Sequence, residues 1–152
     1  MKEVRIIIAG SRTFNDYQYL QKFTLEVIEK VSLEYEIEYC EKLTKEQIKI
    51  ISGRAKGADQ LGERFGEEYG YQIELFPADW EKNGKEAGFI RNSIMGNYAI
   101  ADDNIGVLIA FWDGQSKGTL DMIKKAKLHR MNVYVVNFKE DTLCLMKKPS
   151  AL

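Results

Sequence analysis

Four segments of the 152-residue sequence combine glycine, small residues, hydroxyls and cations, which together suit the binding of phosphate. One of them is SGRAKGAD, residues 52–59, which carries Arg54 and Lys56 and precedes an amphipathic stretch. The first N–H groups and the dipole of a helix favour an anion, and glycine lets a ligand approach the backbone. The segment matches neither G-x-x-x-x-G-K-[ST] nor G-x-G-x-x-G, so on its own it is equally typical of a plain strand-to-helix turn.

Three further segments have related chemistry. GSRT at 10–13 offers hydroxyls and a guanidinium, the stretch 77–92 contains a tryptophan that either stacks on a base or covers the sheet edge, and DGQSKGT at 113–119 repeats the combination. Asp59 either stabilises a helix start or holds a ribose hydroxyl. The candidate ligand-binding residues of the four segments are Gly10, Ser11, Arg12, Gly53, Arg54, Lys56, Gly57, Ala58, Asp59, Asp79, Trp80, Arg91, Asn92, Asp113, Gly114, Ser116, Lys117, Gly118 and Thr119.

Strands and helices that position these segments alternate along the chain. Continuous apolar runs such as VRIIIA and IGVLIAF are typical of strands buried on both faces of a parallel sheet. The alternation predicts an α/β protein with a Rossmann-like, doubly wound, mainly parallel five-stranded sheet and helices on both faces, as a single domain over 1–152. The predicted strands are 4–9, 48–51, 73–76, 105–111 and 133–136, and the predicted helices are 17–31, 58–69, 89–101 and one that ends near 129.

Ligands of such sheets bind beyond the carboxyl ends of the strands, near the point where the strand order reverses. The four segments each follow a predicted strand, so we expect them to meet at this edge. Arg91 and Asn92 fall in the first turn of the helix predicted from residue 89, where the dipole disfavours a cation, so Arg91 is expected to face an anion.

The segment 33–46 fits the alternating scheme less well. Tyr35, Ile37 and Tyr39 alternate with glutamates, which predicts a half-exposed extended segment, as a small hairpin or an edge extension. Gly70 is predicted to stop the second helix in a left-handed conformation, and residues 147–152 are expected to fray.

Composition narrows the class of protein. No apolar run approaches the roughly 20 residues of a membrane helix, and the apolar stretch near the start is too short for a signal peptide, so a cytoplasmic protein without membrane contact is expected. Cys40 and Cys144 lie far apart and His129 is the one histidine, so reduced thiols, no metal and no tightly held cofactor are predicted. A net charge of −1 argues against a nucleic-acid partner.

The motifs AGSRTF, SGRAKGAD, FPADW…AGFIRN..M and AFWDGQSKGT resemble those of the YspA-type branch of the SLOG superfamily, over about residues 4–136. Many members of this branch come from phages and plasmids. The resemblance implies a Rossmann-like fold and a nucleotide-type ligand, and by analogy a homodimer. Relative to the usual family pattern, residues 33–46 look like an insertion.

The same superfamily contains the Lonely Guy phosphoribohydrolases and the DNA-processing protein DprA. The phosphoribohydrolases' Arg-Lys-x-x-Met segment is similar to 91–95 here, so the resemblance puts their catalytic arginine on Arg91. Their catalytic glutamate falls on Asp121, one methylene shorter, and a misplacement near 1 Å can cost about a hundredfold in rate. Their Pro-Gly-Gly start is absent from 113–119, which also weakens the match.

Several functions therefore stay open at the level of sequence. The first is binding of a nucleotide or nucleotide-sugar ligand of the ADP-ribose or NAD-derived type, either as a sensor or as a phage protein that removes a host signal. The second is N-glycosidic hydrolysis of a nucleoside 5′-monophosphate, with Arg91 and Asp121 as catalytic residues. The third is handling of single-stranded DNA, which needs a cationic groove with stacking aromatics.

Overall fold

The computed structural model describes residues 2–140 in full and residues 142–146 as a strand. Short 3₁₀ turns at Lys45–Gln47, Gly84–Glu86 and Ala101–Asp103 connect the longer elements. The strands are β1 (Val4–Gly10), β2 (Ile48–Ser52), β3 (Gln72–Leu75), β4 (Ile105–Trp112), β5 (Asn132–Asn137) and β6 (Thr142–Met146). The helices are α1 (Tyr17–Tyr39), α2 (Ala58–Tyr69), α3 (Trp80–Asn83), α4 (Ala87–Ile100) and α5 (Lys117–Leu128).

The strands form one sheet in the order β3-β2-β1-β4-β5-β6. The first five strands are parallel, which confirms the predicted Rossmann-like α/β sheet. The sixth strand was not predicted, and it pairs antiparallel with β5 through a short connection, as a hairpin allows. The order reverses between β1 and β4, so their carboxyl ends form the switch point where such sheets bind ligands.

Burial of β1 on both faces explains the layered core. Ile6 and Ile8 belong to one hydrophobic cluster, which α1 and α2 cover with residues such as Leu20 and Phe65. Ile7 belongs to the opposite cluster, which is completed by residues of α4 and α5. Each such side chain contributes about 1.5–3 kcal/mol when it is fully buried, so the continuous apolar run of β1 fixes the sheet between two helical layers.

Helix α1 is longer than the sequence pattern predicted. Asp16 caps it by accepting the Tyr19 N–H at 3.1 Å, as expected, but the helix continues to Tyr39, where Cys40 ends it in the left-handed region. The prediction of an extended segment at 33–46 is therefore wrong. Tyr35 is buried on the inner face of the helix, and its hydroxyl accepts a hydrogen bond from Gln47 at 3.1 Å, while Ile37 is 80% exposed.

Two other boundaries differ from expectation. Helix α4 begins at Ala87, so Arg91 lies in its second turn, where the helix dipole no longer bears on its charge. The long connection before it contains α3, capped by Asp79 through the Lys82 N–H at 3.1 Å. Gly70 ends α2 with φ 71° and ψ 26°, as predicted. The predicted fraying of 147–152 lies outside the described residues.

Within residues 2–140 and 142–146, no helix has both the length and the apolar composition that crossing a lipid bilayer demands.

The extent of α1 can be tested with two alanine substitutions. Tyr35→Ala removes a buried ring and leaves Gln47 without one hydrogen bond, so we expect the free energy of unfolding to fall by about 3 kcal/mol or more. Ile37→Ala removes an exposed side chain and should change it by no more than about 0.5 kcal/mol. Urea denaturation measures both values. Similar losses at the two positions would indicate that they share one face, as in a strand, and would contradict the helix.

Candidate functional site

The segments that follow β1, β2, β3 and β4 meet at the switch point, as the sequence predicted. They surround an open cleft of about 420 Å³, called here the main cleft, with the carboxyl end of β1 as its floor and α4 and α5 along one side. Eleven of the candidate ligand-binding residues line the main cleft. They are Gly10, Ser11, Arg12, Asp59, Trp80, Arg91, Asn92, Asp113, Ser116, Gly118 and Thr119.

The remaining candidates lie elsewhere. Gly53 and Arg54 line a smaller cavity of about 130 Å³, called here the side hollow, which shares Arg12, Ala55, Trp80 and Arg91 with the main cleft. The candidates that line neither cavity are Lys56, Gly57, Ala58, Asp79, Gly114, Lys117 and Asp121.

Several lining residues were not singled out from the sequence. Lys85 adds a cation from the segment between β3 and α4, and Phe89 adds an aromatic ring. Gly88 and Met95 also line the cleft and flank Asn92 along α4. Gly88, Asn92 and Met95 are spaced by four and then three residues, which puts all three on one face of the helix. This periodic pattern could have identified Gly88 and Met95 from the sequence.

Tight packing joins the segment after β1 to the segment after β4. The Ser11 N–H donates to the carbonyl of Phe111 at 2.9 Å, and the Ser11 Oγ accepts the Asp113 N–H at 3.1 Å. A Cβ atom on Gly10 would lie 2.8 Å from the Cβ of Ala58. Gly10 therefore allows α2 to approach the end of β1. The hydrogen bonds of Ser11 fix the end of β1 to the end of β4 at the floor of the cleft.

Gly57 has a structural role that the sequence did not separate from ligand binding. Its φ of 85° and ψ of −126° are unfavourable for other residues, and a Cβ there would lie 2.7 Å from the carbonyl oxygen of Arg12. The Ala58 N–H donates to the carbonyl of Ser11 at 3.4 Å. Since Gly57 does not line the main cleft, the need for glycine at this position comes from packing of the β2 loop on the β1 loop.

Asp59 is a buried carboxylate at the centre of these loops. It is 4% exposed and accepts the Ala55 N–H at 3.2 Å and, in addition, the Gly10 N–H. Burial raises the pKa of Asp59 to about 6, although the nearby Arg91 and the two N–H groups oppose that rise. A carboxyl group of this kind changes charge close to neutral pH.

Arg91 reaches from α4 across the loop that follows β2. Its Nη1 donates to the carbonyl of Gly53 and its Nε donates to Asn92 Oδ1 at 3.0 Å. A Cβ on Gly53 would lie 2.6 Å from Arg91 Nη1 and 2.9 Å from Asp59 Oδ2, so only glycine leaves room for both. Burial lowers the pKa of Arg91, the positive charge of Arg12 lowers it further, and Asp59 opposes both effects.

The two arginines of the cleft have no carboxylate bound directly to them. Among the described residues, neither Arg12 nor Arg91 forms an ion pair within 4 Å. Arg12 is exposed, and its charge is felt at Arg91 as a repulsion. Two guanidinium groups of like charge at one cavity favour an anion between them.

The carboxylate of Asp121 is engaged away from the cleft. Asn92 donates to Asp121 Oδ2 at 3.0 Å and to the carbonyl of Gly118 at 3.1 Å. Lys125 pairs with the same carboxylate oxygen at 2.7 Å. Asp121 thus ties α4 to α5, while its neighbour Asn92 lines the cleft.

The β4 loop forms its own hydrogen-bonded turn. Asp113 Oδ1 accepts the N–H groups of Gln115 and Ser116 at 2.8 Å each, and these bonds hold the pKa of Asp113 below its usual range. Ser116 caps α5 by accepting the Thr119 N–H at 3.4 Å. A Cβ on Gly118 would meet nothing within 4 Å, so no contact with the protein explains glycine at this position.

The cations of the β2 loop differ in their surroundings. Arg54 Nε lies 3.4 Å from Glu63 Oε2, and Ser52 Oγ donates to the same oxygen at 2.6 Å. Lys56 is exposed and lines neither cavity. Arg54 is therefore directed by neighbouring side chains, and Lys56 faces solvent.

Two aromatic rings of the cleft are unusually exposed. Trp80 is 51% and Phe89 is 42% exposed, and both line the main cleft. Exposed aromatic faces in a cavity with cations are the groups on which a nucleobase stacks.

The sequence is similar to a protein family and to a phage protein. The model of the YAcAr family, described as the YspA, cpYpsA-related SLOG family, matches residues 4–83. Gene 61 protein of Mycobacterium phage D29 is 36% identical over 94 residues, which cover 59% of this chain and 70% of that protein. No solved structure gave a significant match. The resemblance drawn from the motifs is confirmed at the level of the family.

Asp59 predicts a pH dependence of stability. Its pKa of about 6 in the folded protein exceeds the ordinary 3.8, so the folded state binds this proton more tightly than the unfolded state. The resulting stabilisation is complete below pH 3.8 and is lost as the pH rises through 6, by about 3 kcal/mol. Urea denaturation of the wild type and Asp59→Asn across this range should show the wild type losing about that much relative to the variant. A difference that does not change with pH would contradict the titration of Asp59.

Proposed function

The chain belongs to the YspA, cpYpsA-related SLOG family, and from that premise we propose that it binds a nucleotide or nucleotide-sugar ligand of the ADP-ribose or NAD-derived type in the main cleft. Membership of the SLOG family supports a nucleotide-related function. The similarity to a phage protein supports a role in phage or mobile-element biology, as part of the same proposal.

The observation that carries this proposal is the meeting of Arg12 and Arg91 at the switch point without a bound carboxylate. Arg91 is half-buried, and its removal from water is costly unless a partner of opposite charge is supplied. Asp59 offsets this cost incompletely, because none of the ion pairs among the described residues joins its carboxylate to the Arg91 guanidinium. A phosphate group would complete the set of charges.

Trp80, Phe89 and Asp113 fit the rest of a nucleotide. The two exposed rings offer stacking surfaces for the base. Asp113 lines the same cleft with a carboxylate kept ionised by its turn, and such a group can accept hydrogen bonds from ribose hydroxyls. A volume of about 420 Å³ is within the range of small-molecule sites.

Binding has stronger support than hydrolysis. Arg91 lines the cleft as a phosphoribohydrolase mechanism requires, but Asp121 lies at the contact between α4 and α5 with Asn92 and Lys125 as partners. A carboxylate in that position would have to leave both partners before it reached a substrate. We therefore propose binding as the primary function. Hydrolysis, the alternative, would be detected as release of free base from AMP.

Arg12 provides the first test of the proposal. Arg12→Ala removes an exposed cation of the cleft, so we expect the affinity for ADP or ADP-ribose in isothermal titration calorimetry to fall about tenfold. Lys56→Ala is the matched control, since it removes the same charge from a neighbouring loop but lines neither cavity. Equal effects of the two substitutions, or no binding of any nucleotide to the wild type at millimolar concentration, would count against the proposal.

Trp80 tests the stacking of the base. Loss of an aromatic ring that stacks on a base costs about 1–3 kcal/mol of binding free energy, so Trp80→Ala should lower the affinity for AMP about tenfold or more. Trp80→Phe keeps an aromatic ring and should retain most of the affinity. Ribose 5-phosphate, which has no base, should bind the wild type and Trp80→Ala equally well. A similar loss of affinity for both compounds would show that Trp80 does not stack on the base.

A further inference from the structure

Three arginines converge on the side hollow that adjoins the main cleft. Arg12, Arg54 and Arg91 line this cavity of about 130 Å³. The other residues of the described chain that line it are Gly53, Ala55, Pro77, Ala78 and Trp80. No carboxylate is therefore among the described lining residues. The guanidinium groups of Arg12 and Arg91 repel each other, and a cavity lined by three arginines favours a compact anion.

The fold holds Arg54 in this position at a cost. Its φ of 64° lies in the left-handed region, which is strained for a residue with a side chain. Ser52 Oγ accepts the Arg54 N–H at 3.1 Å and stabilises this turn. Glu63 lies 3.4 Å from Arg54 Nε, and the Arg54 side chain stays 47% exposed, so part of the guanidinium is available to a ligand.

The side hollow is continuous with the main cleft. Arg12, Ala55, Trp80 and Arg91 line both cavities, so a ligand that lies beside Trp80 can enter both at once. The main cleft has the aromatic rings and Asp113, whereas the side hollow has the highest share of cationic lining. A nucleotide would fit this division with its nucleoside in the main cleft and its phosphates in the side hollow.

We propose that the side hollow is a phosphate subsite, formed by Arg12, Arg54 and Arg91, and that Arg54 determines the preference for phosphorylated ligands. This inference rests on the proposed function for the nucleoside part of the ligand. It differs from a phosphate held at the start of α5, where Ser116 already caps the helix and Gly118 faces the open main cleft.

The test compares adenosine, ADP and inorganic pyrophosphate by isothermal titration calorimetry on the wild type and Arg54→Asn. Asparagine is chosen because it tolerates a positive φ. We expect Arg54→Asn to lower the affinity for ADP and for pyrophosphate about tenfold or more. The affinity for adenosine should not change. Arg64→Asn is the matched control, since Arg64 pairs with Glu68 on α2 and lines neither cavity.

The outcomes separate the subsite from the proposed function. Pyrophosphate binding that depends on Arg54 supports the subsite, even if no nucleotide binds and the nucleotide proposal fails. Equal affinities of Arg54→Asn and Arg64→Asn for ADP overturn the subsite, while nucleotide binding stands. Loss of pyrophosphate binding in Gly118→Ala but not in Arg54→Asn would place the phosphate at α5 and also overturn it.

Discussion

The buried carboxylate of Asp59 is the contact on which the geometry of the site depends. It receives N–H groups from the end of β1 and from the β2 loop, and it lies beside the guanidinium of α4 that crosses Gly53. Three separate parts of the chain are therefore held together by one group that is almost entirely excluded from water. Burial of a charged group costs free energy unless the group is paired or hydrogen-bonded. The N–H donors of the two loops and Arg91 must therefore stay close to Asp59.

This contact links the fold to the charge of the cleft. Asp59 partly balances the charge of Arg91, but no ion pair of the described residues joins the two side chains, so the arginine has no directly bound counterion. Arg12 adds a second positive charge from the β1 loop. The parallel sheet brings both arginines to the switch point, and Gly57 lets the β2 loop pack closely against the backbone of Ser11 and Arg12. The meeting of two arginines at one cavity is thus a consequence of how the loops pack.

Much of this arrangement could be predicted from the sequence, because β1, β4 and β5 contain continuous apolar runs and helices separate the five parallel strands. Their order in the chain was sufficient to place Arg12, Arg91 and Ser116 at one edge. Segment 33–46 was predicted wrongly, since Tyr35, Ile37 and Tyr39 alternate with glutamates as in a strand, although only Tyr35 is buried, on the inner face of the helix. The antiparallel β6 was missed because no helix precedes it, so it lies outside the alternation of strands and helices on which the prediction rested.

Within the site, sequence could not distinguish glycines that pack from glycines that face open space. Gly57 and Gly118 occur in similar segments, but one abuts backbone and the other has no neighbour within 4 Å. The positions of Lys85 and Phe89 depend on the path of the connection that contains α3, which no local pattern specifies. Asp121 matched a catalytic position of related enzymes in sequence, whereas its partners depend on how α4 packs against α5.

Nucleotide binding in the main cleft is tested most directly by an NMR titration of ¹⁵N-labelled protein with ADP. Binding at the proposed position predicts shifts of the Trp80 indole N–H and of the backbone amides of Arg12, Ala55 and Gly118. The amides of Asn104 and Asn132, which lie at the opposite edge of the sheet, should not shift. Shifts confined to that opposite edge, or no shifts at millimolar ADP, would contradict a nucleotide site at the carboxyl ends of β1 and β4.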